Sequence, residues 1–332
     1  MVSSEFSTFV DPYPYQSALR GEMEIYPTAR GDFQAELTKV HLRRLWVQRS
    51  RESLPRILVG KVPPGRAAIC FLVTRNAPPI RHCGIDISPG DIIVDSSDSM
   101  HRRSDGPSHS GAMSLSPEDL IEAGIDLLGH ELRVPRLTHV VRPRPALMSR
   151  LLNLHEQVGQ LARTAPDRLA KPQVAQALEQ ELVHAMVMCL AEATTGELGV
   201  AGCRHSVVMA RLEEFLTANH DRPVYLMEIC AATGASERTL RDCCQEQMGM
   251  SPIRYLWLRR MHLARRALVL ANPTTANVTE IATEYGFWEL GRFSTEYRTL
   301  FGEPPSVSLR RAQDDRQMSE VRSFALPASE FA

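Results

Sequence analysis

The fold of this chain is decided by the stretch YLMEICAATGASERTL, residues 225–240. Apolar residues at helical spacing precede Gly234, and a second helical pattern follows it. Gly234 suits the left-handed backbone of a tight turn, and Ser236 suits the N-cap of the next helix. The stretch therefore predicts a helix, a turn and a second helix running from Glu237 to about Gln247.

A second copy of this pattern begins with VTEIATEYGF, residues 278–287. Gly286 follows Gly234 by 52 positions, and this spacing indicates an internal repeat. The second helix of this copy is predicted from Glu289, whose charge suits a helix start, to about Leu300. Between the copies, Ser251 and Pro252 begin a long helical pattern. We expect this helix to hold the two units about 34 Å apart, if both enter successive major grooves of DNA.

The second helix of each unit is predicted to present polar side chains opposite an apolar face. Leu240 and Cys244 are expected to face inward in the first unit, as are Phe293 and Tyr297 in the second. Arg pairs with guanine and Gln with adenine, and these and other polar residues also bind phosphate. The candidate DNA-binding residues are Ser236, Arg238, Thr239, Arg241, Asp242 and Gln245 in the first unit, and Gly291, Arg292, Ser294, Thr295 and Arg298 in the second.

Arginine is concentrated in this part of the chain. The formal net charge of the whole chain is only -1, so total charge does not indicate a nucleic-acid partner. The stretch from Arg254 to Arg311, however, contains many Arg residues and no Lys. Its pairs 259–260 and 265–266 are interpreted either as phosphate contacts or as ion pairs within the domain.

The N-terminal part of the chain has a different rhythm. Short apolar segments separated by Pro and Gly predict strands of a small β barrel or sandwich. These segments are Trp46–Val47, Arg56–Val62, Ala67–Val73, Ile85–Ile87 and Asp91–Val94. Residues 96–111 are expected to form a loop. A helix is predicted from Pro117 to about Leu128, with Ser116 as N-cap and Gly129 as its end.

Two longer helices are predicted next. Leu147, Leu151, Leu154, Val158 and Leu161 recur at spacings of four and three, which is typical of a helix that packs on another helix. The second helix is predicted from about 172 to 193. This pair can form within one chain or between two chains. Residues 194–199 are interpreted as a linker.

The chain is therefore expected to have an α+β fold in four parts. Residues 1–143 form the β domain, 144–199 the helical dimerisation or linker region, 204–314 an all-α domain with two helix-turn-helix units, and 315–332 a tail. No apolar run approaches the roughly 20 residues that span a bilayer, and the start lacks a signal-peptide pattern. We expect a cytoplasmic protein without a membrane partner.

The stretch from His205 to Arg311 resembles the DNA-binding domain of the AraC/XylS family. The resemblance rests on GMSPIRYL (249–256), RRM (259–261), IATEYGF (281–287) and FGEPPS (301–306), and it covers about a third of the chain. It implies DNA contacts by Arg238, Arg241 and Asp242 in the first unit and by Gly291, Arg292, Ser294 and Thr295 in the second. Two features depart from the family pattern: Cys243-Cys244 replaces a bulky apolar residue and Phe, and Asp242 replaces a basic or polar residue.

The N-terminal half resembles the family's cupin-like sensing domain, through its strand rhythm and the segment SPGD (88–91). The family resemblance implies a transcription regulator with a small-molecule effector, and family habit favours activation over repression. The expected partners are double-stranded DNA, an effector of unknown identity and a second copy of the chain. The sequence does not identify the effector or the target genes.

A different class of function is also considered. His82, His101, His109 and His130 lack the spacing of a cupin metal site, and no Walker, GxGxxG, nucleophile-elbow or HExxH motif is present. We therefore predict no catalytic residue, metal or cofactor. The alternative is a cupin-like enzyme or an alkyl-acceptor repair protein fused to a DNA-binding module, which requires a metal or a reactive N-terminal thiol.

Two further patterns each have a functional and a structural interpretation. Cys243 and Cys244 in the first recognition helix could sense redox state, but buried packing is favoured because neighbouring helical residues face about 100° apart. An anionic ligand would suit the side chains of Arg43, Arg44, Arg56 and Arg81, and a solvated surface explains them equally well.

Overall fold

The computed structural model describes residues 2–95, 99–133, 138–191, 194–197, 200–220 and 222–310. The chain consists of an N-terminal β domain with accompanying helices and a C-terminal helical domain. The strands are β1 (Ser3–Phe9), β2 (Glu22–Pro27), β3 (Ala35–His41), β4 (Trp46–Glu52), β5 (Arg56–Lys61), β6 (Ala67–Leu72), β7 (Ile80–His82), β8 (Ile85–Ile87), β9 (Ile92–Asp95), β10 (Ser99–Ser104), β11 (Ser108–Leu115), β12 (His139–Arg142) and β13 (Thr194–Glu197).

The helices divide between the two domains. The N-terminal domain contains α1 (Pro12–Ala18), α2 (Pro117–Leu128), α3 (Pro145–Thr164), α4 (Pro166–Leu169) and α5 (Pro172–Ala191). The C-terminal domain contains α6 (Val200–Ala218), α7 (Leu226–Thr233), α8 (Glu237–Met248), α9 (Pro252–Leu270), α10 (Val278–Glu284) and α11 (Leu290–Phe301). Within the residues described, no helix combines the length and apolar character needed to cross a bilayer.

The strands form two antiparallel sheets. The larger sheet has the order β1-β3-β4-β11-β6-β9-β12-β13, and the smaller has the order β2-β5-β10-β7-β8. Their inner faces share a core that includes Ile25, Leu37, Leu58 and Met100. This arrangement confirms the predicted small β barrel or sandwich and the α+β class. The predicted strands that begin at residues 46, 56, 67, 85 and 91 are all present, the last of them as β9 from Ile92.

The loop predicted over residues 96–111 is wrong for the residues described there. Strands β10 and β11 occupy most of this stretch, and residues 96–98 lie outside the described residues. The sequence pattern misled because Ser, His and Arg are usually exposed. Here His101 and Arg102 are buried: His101 Nε2 lies 3.3 Å from Glu213 Oε1, and Arg102 Nε donates a hydrogen bond to His82 Nδ1.

The predicted helix that ends at Gly129 is confirmed as α2. The Ser116 hydroxyl accepts a hydrogen bond from the Asp119 backbone N–H at 3.0 Å, and Gly129 ends the helix with φ of 78°. These are the N-cap and left-handed C-terminal conformations that the residue types favour.

The two long helices, α3 and α5, pack against each other within one chain. Leu151 and Val158 of the predicted seam are fully buried, and they share a core with Leu182 of α5 and with Phe71 of the larger sheet. The seam therefore serves as intramolecular core.

The predicted linker is wrong for residues 194–197. They form β13, which pairs with β12 at the edge of the larger sheet. The pairing gives this segment's backbone groups hydrogen-bond partners within the sheet in place of water. Residues 198–199 and the predicted tail, 315–332, lie outside the described residues.

Candidate nucleic-acid interface

The first helix-turn-helix unit consists of α7 and α8. Gly234 joins them in a left-handed conformation with φ of 66°. The Ser236 hydroxyl accepts a hydrogen bond from the Thr239 backbone N–H at 3.2 Å and caps α8. Both the turn and the cap agree with the sequence prediction. The apolar side of α8 packs into the core of the domain through Leu240 and Cys244, which are fully buried.

The second unit consists of α10 and α11. Asn277, which the sequence analysis did not single out, caps α10 by accepting the Glu280 backbone N–H at 2.8 Å. Gly286 adopts a φ of 75° between the helices. Phe293 and Tyr297 of α11 are buried as predicted.

The candidate DNA-binding residues lie on the opposite faces of α8 and α11. The residues of each set are exposed on one side of their helix, apart from the half-buried Thr239. The sets are Ser236, Arg238, Thr239, Arg241, Asp242 and Gln245 on the first helix, and Gly291, Arg292, Ser294, Thr295 and Arg298 on the second. The structure thus brings each predicted set together on a solvent face of a second helix.

Carboxylates along the helices hold two of these arginines. Arg241 Nη2 lies 2.6 Å from Glu237 Oε1, and Arg292 Nε donates to Glu296 Oε1 at 2.9 Å. The hydrogen bond from Arg292 also contributes to keeping the pKa of Glu296 low, against the opposing effect of partial burial. Glu296 accepts a second hydrogen bond from Trp257 Nε1 at 2.7 Å, which ties α11 to α9.

The two neighbouring cysteines of α8 are both buried. Burial raises the pKa of the Cys243 thiol to about 11 and that of the Cys244 thiol to about 12. Both side chains therefore remain neutral thiols at physiological pH. Reactive cysteines have accessible thiolates, so this geometry favours the packing interpretation over the redox one.

The sequence analysis interpreted the arginine pairs of α9 as phosphate contacts or as ion pairs within the domain, and neither interpretation describes all four residues. Arg265 Nη1 lies 2.7 Å from Asp11 Oδ2, and Arg266 Nη2 donates to the Tyr13 hydroxyl at 3.0 Å. Arg259 is buried with Nη2 at 3.8 Å from Glu24 Oε2. Arg260 stacks on Phe287 of its own domain. Three of the four therefore contact the N-terminal domain, because α9 packs against α1 and β2.

The contact between the domains extends to the first recognition helix. Arg81 of β7 donates to the Glu246 carbonyl of α8 at 3.1 Å. The guanidinium of Arg103 packs against Gly249, directly after α8. His101 Nε2 lies 3.3 Å from Glu213 Oε1 of α6. The smaller sheet thus contacts the helices that support the first unit.

The candidate ligand-binding residues of the N-terminal domain lie apart from one another. Arg43 and Arg44 are exposed, and Arg81 forms an ion pair with Asp86. Arg56 lines a cavity between the sheets. The described part of the chain holds no group of three His, Cys, Asp or Glu side chains arranged to bind a metal ion.

Known proteins resemble the C-terminal part of this chain. A sequence profile described as a helix-turn-helix domain matches residues 229–311. The "Probable thc operon regulatory protein" of Rhodococcus erythropolis is 38% identical over 97 residues, which cover 29% of this chain and 29% of that protein. The XylDLEGF operon transcriptional activator 2 of Pseudomonas putida is 36% identical over 101 residues, covering 30% of this chain and 63% of that protein. The chain therefore spans less than two thirds of either relative.

A crystal structure of a probable AraC family transcriptional regulator from Rhodopseudomonas palustris is also similar. It shares 35% identity, and the match covers 32% of this chain and 96% of that one, with a TM-score of 0.29. The sequence matches agree with the two units described above, and the C-terminal part of this chain is a helix-turn-helix domain of the AraC/XylS type.

Proposed function

We propose that the chain is a sequence-specific transcription regulator whose helices α8 and α11 read double-stranded DNA. The observation that carries this proposal is the exposed polar face on the second helix of each helix-turn-helix unit. Side chains of these types bond base edges and phosphates. The proposed contacts are Ser236, Arg238, Thr239, Arg241, Asp242 and Gln245 on the first unit, and Gly291, Arg292, Ser294, Thr295 and Arg298 on the second.

The ion pairs along the recognition helices are compatible with this role. The pairs Arg241–Glu237 and Arg292–Glu296 are exposed, and water screens exposed ion pairs so that they contribute little to stability. A bidentate bond to guanine or phosphate is stronger, so DNA can displace the carboxylates. Asp242 would repel a phosphate, and we expect it to accept from a cytosine amino group or to remain outside the contact.

We further propose that the N-terminal domain senses a small-molecule effector. This proposal is supported by the smaller sheet, whose two faces contact different parts of the protein. Met100 and Arg102 of β10 line the cavity, whereas His101 and Arg103, which alternate with them, contact the C-terminal domain. A ligand that moves β10 would therefore change contacts at α6 and α8, and so shift the population of states that engage DNA.

The proposal also includes the oligomeric state, the direction of regulation and the division into domains. A second copy of the chain is proposed as partner, because regulators that read repeated half-sites gain from pairing. Activation is proposed because the Pseudomonas putida relatives are named as transcriptional activators. A DNA-binding regulator would act in the cytoplasm. We propose residues 1–143, 144–199 and 204–314 as the sensing, helical and DNA-binding parts.

The test is selection of binding sites by the full-length protein from a library of short genomic duplexes. We expect enrichment of a motif with two half-sites about ten base pairs apart. The selection is repeated with a protein-free small-molecule extract of the source cells, so that a missing effector does not prevent binding. Absence of any enriched motif under both conditions would contradict the proposed function.

A further inference from the structure

The two sheets of the N-terminal domain enclose a cavity of about 90 Å³. This space exceeds what a single buried water requires and suits a small organic molecule. Much of its wall is apolar, with Leu19, Met23, Trp46, Leu58 and Met100 among the lining residues. The unbranched Met side chains can adjust to the shape of a ligand.

Three arginines also line this cavity, and each carries one buried N–H group without a hydrogen-bond partner. These groups are Nε of Arg20, Nη1 of Arg56 and Nη2 of Arg102. Arg56 is 1% exposed and Arg102 is 6% exposed. A buried donor without a partner is unfavourable, and more so when the group is charged. The cavity wall therefore offers three donors that an acceptor-rich ligand would satisfy.

The acceptors in the wall are mostly occupied. Glu52 accepts from the Tyr15 hydroxyl at 2.7 Å and pairs with Arg56. Asp95 Oδ1 lies 2.7 Å from His82 Nε2. Asp95 Oδ2 is the one carboxylate oxygen without a partner among the described residues of the wall, and it lies 3.8 Å from Arg102 Nη2. Donors in need of partners thus outnumber acceptors.

The net charge of the cavity wall also favours an anionic ligand. Three guanidinium groups face two carboxylates, those of Glu52 and Asp95, which leaves an excess of one positive charge. The excess positive charge is that of Arg20, whose guanidinium stacks on the Trp46 ring together with that of Arg66. Burial, together with the charge of Arg66, lowers the pKa of Arg20 to about 10. An anion beside Arg20 would relieve this unfavourable environment.

We propose that the cavity binds a small organic monocarboxylate, with its carboxylate among Arg20, Arg56 and Arg102 and its apolar body against Trp46 and the methionines. A carboxylate supplies several lone pairs and forms charge-assisted hydrogen bonds with guanidinium groups. The ligand's regulatory effect on DNA binding rests on the proposed function. The binding itself does not, because every group that carries it lies in the N-terminal domain.

The test is calorimetric titration of the full-length protein, without DNA, using butyrate, hexanoate, octanoate and cyclohexanecarboxylate. The primary amide of each acid serves as its neutral isostere, and sulfate serves as an anion without an apolar body. We expect at least one carboxylate to bind about tenfold or more tightly than its amide, and more tightly than sulfate. Equal affinity for acids and amides, preference for sulfate, or no binding of any of the acids would overturn the proposal.

Variants of the two arginines that stack on Trp46 provide a matched comparison. Arg20 lines the cavity and Arg66 does not. Arg20→Met is expected to weaken carboxylate binding about tenfold and to leave amide binding unchanged, whereas Arg66→Met should keep both within about twofold. Equal effects of the two substitutions would contradict a specific role for Arg20. Binding of a carboxylate without selection of any duplex would overturn the proposed function alone, and selection of duplexes without carboxylate binding would overturn this inference alone.

Discussion

His101 of the smaller sheet and Glu213 of α6 meet across the domain interface, with Nε2 3.3 Å from Oε1. Both side chains are buried. The same Glu213 oxygen accepts a hydrogen bond from the Tyr255 hydroxyl at 2.8 Å. One carboxylate therefore connects the N-terminal domain to the core of the C-terminal domain.

Removing the histidine should weaken this interface. His101→Phe preserves most of the side-chain volume but leaves the buried Glu213 carboxylate with one donor fewer. We expect the free energy of unfolding to fall by about 1–3 kcal/mol, measured by urea denaturation. His130→Phe alters an exposed histidine of the same domain and should have no effect. Equal destabilisation by both variants would show that the interdomain hydrogen bond contributes nothing.

The two turn glycines should differ in their tolerance of a side chain. Both have positive φ, so Ala is strained by about 1–2 kcal/mol at either position. A Cβ on Gly286 would also lie 2.7 Å from Pro223 Cγ, whereas one on Gly234 meets nothing closer than Arg211 Nη1 at 3.6 Å. We therefore expect Gly286→Ala to destabilise more than Gly234→Ala in urea denaturation. The reverse order would contradict the turn geometry.

Asn277 should stabilise α10 through its side chain. Asn277→Ala removes the acceptor for the Glu280 backbone N–H, and we expect a loss of about 1 kcal/mol in the free energy of unfolding. Asn277→Gly should cost only a few tenths of a kcal/mol, because Gly is tolerated at the N-cap. Thermal or urea unfolding measures the difference in stability between these two variants. An alanine variant as stable as wild type would show that the Asn277 side chain does not stabilise the start of α10.

Stability should fall in mildly acidic solution because of buried histidines. Burial lowers the pKa of His262 to about 4, and its Nε2 lies 2.9 Å from the Pro27 carbonyl. The unfolded chain protonates this residue below about pH 6.5. Stability is therefore lost as the pH falls from about 6.5 towards 4, by up to about 1.4 kcal/mol per pH unit for this group. Burial lowers the pKa of His109 to about 4 and that of His155 to about 3, so both act in the same direction.

His262→Gln tests this assignment because Gln keeps an N–H donor but does not titrate. Melting temperatures measured between pH 7.5 and 5 should decrease less steeply for this variant than for wild type. His220→Gln, at an exposed position, should leave the pH profile unchanged. If the His262→Gln profile is parallel to that of wild type, His262 is not the source of the pH dependence.

The recognition units were predictable from the sequence because their signals are local. The turn at Gly234 and the cap at Ser236 depend on residues within a few positions, and so does the apolar spacing of α11. Strand β10 was not predictable from the same kind of signal. Its buried His101 and Arg102 form hydrogen bonds with Glu213 and His82, which are distant in sequence. A pattern that treats His and Arg as exposed cannot detect such partners.

The role of the α9 arginines was missed for a related reason. Arg265 and Arg266 lie among other arginines in a helix of the C-terminal domain, and this position suggested either contacts with phosphate or ion pairs within the domain. Their partners, Asp11 and Tyr13, are more than 250 residues away in the chain. Only the packing of the two domains shows that these side chains stabilise an internal interface.

Helices α8 and α11 are proposed to bind DNA through their exposed arginines, and the salt dependence of binding tests this role most directly. The affinity for a selected duplex is measured across salt concentrations for wild type, Arg238→Ala, Arg292→Ala and Arg150→Ala. Arg150 is an exposed arginine of α3, paired with Glu181. We expect Arg150→Ala to match wild type. The other two variants should either lower the slope of log affinity against log salt by about 0.9, if the arginine binds phosphate, or lose about 1–3 kcal/mol of discrimination between sequences, if it binds a base. If both variants keep the slope, affinity and specificity of wild type, the exposed arginines of these helices do not bind DNA and the account is wrong.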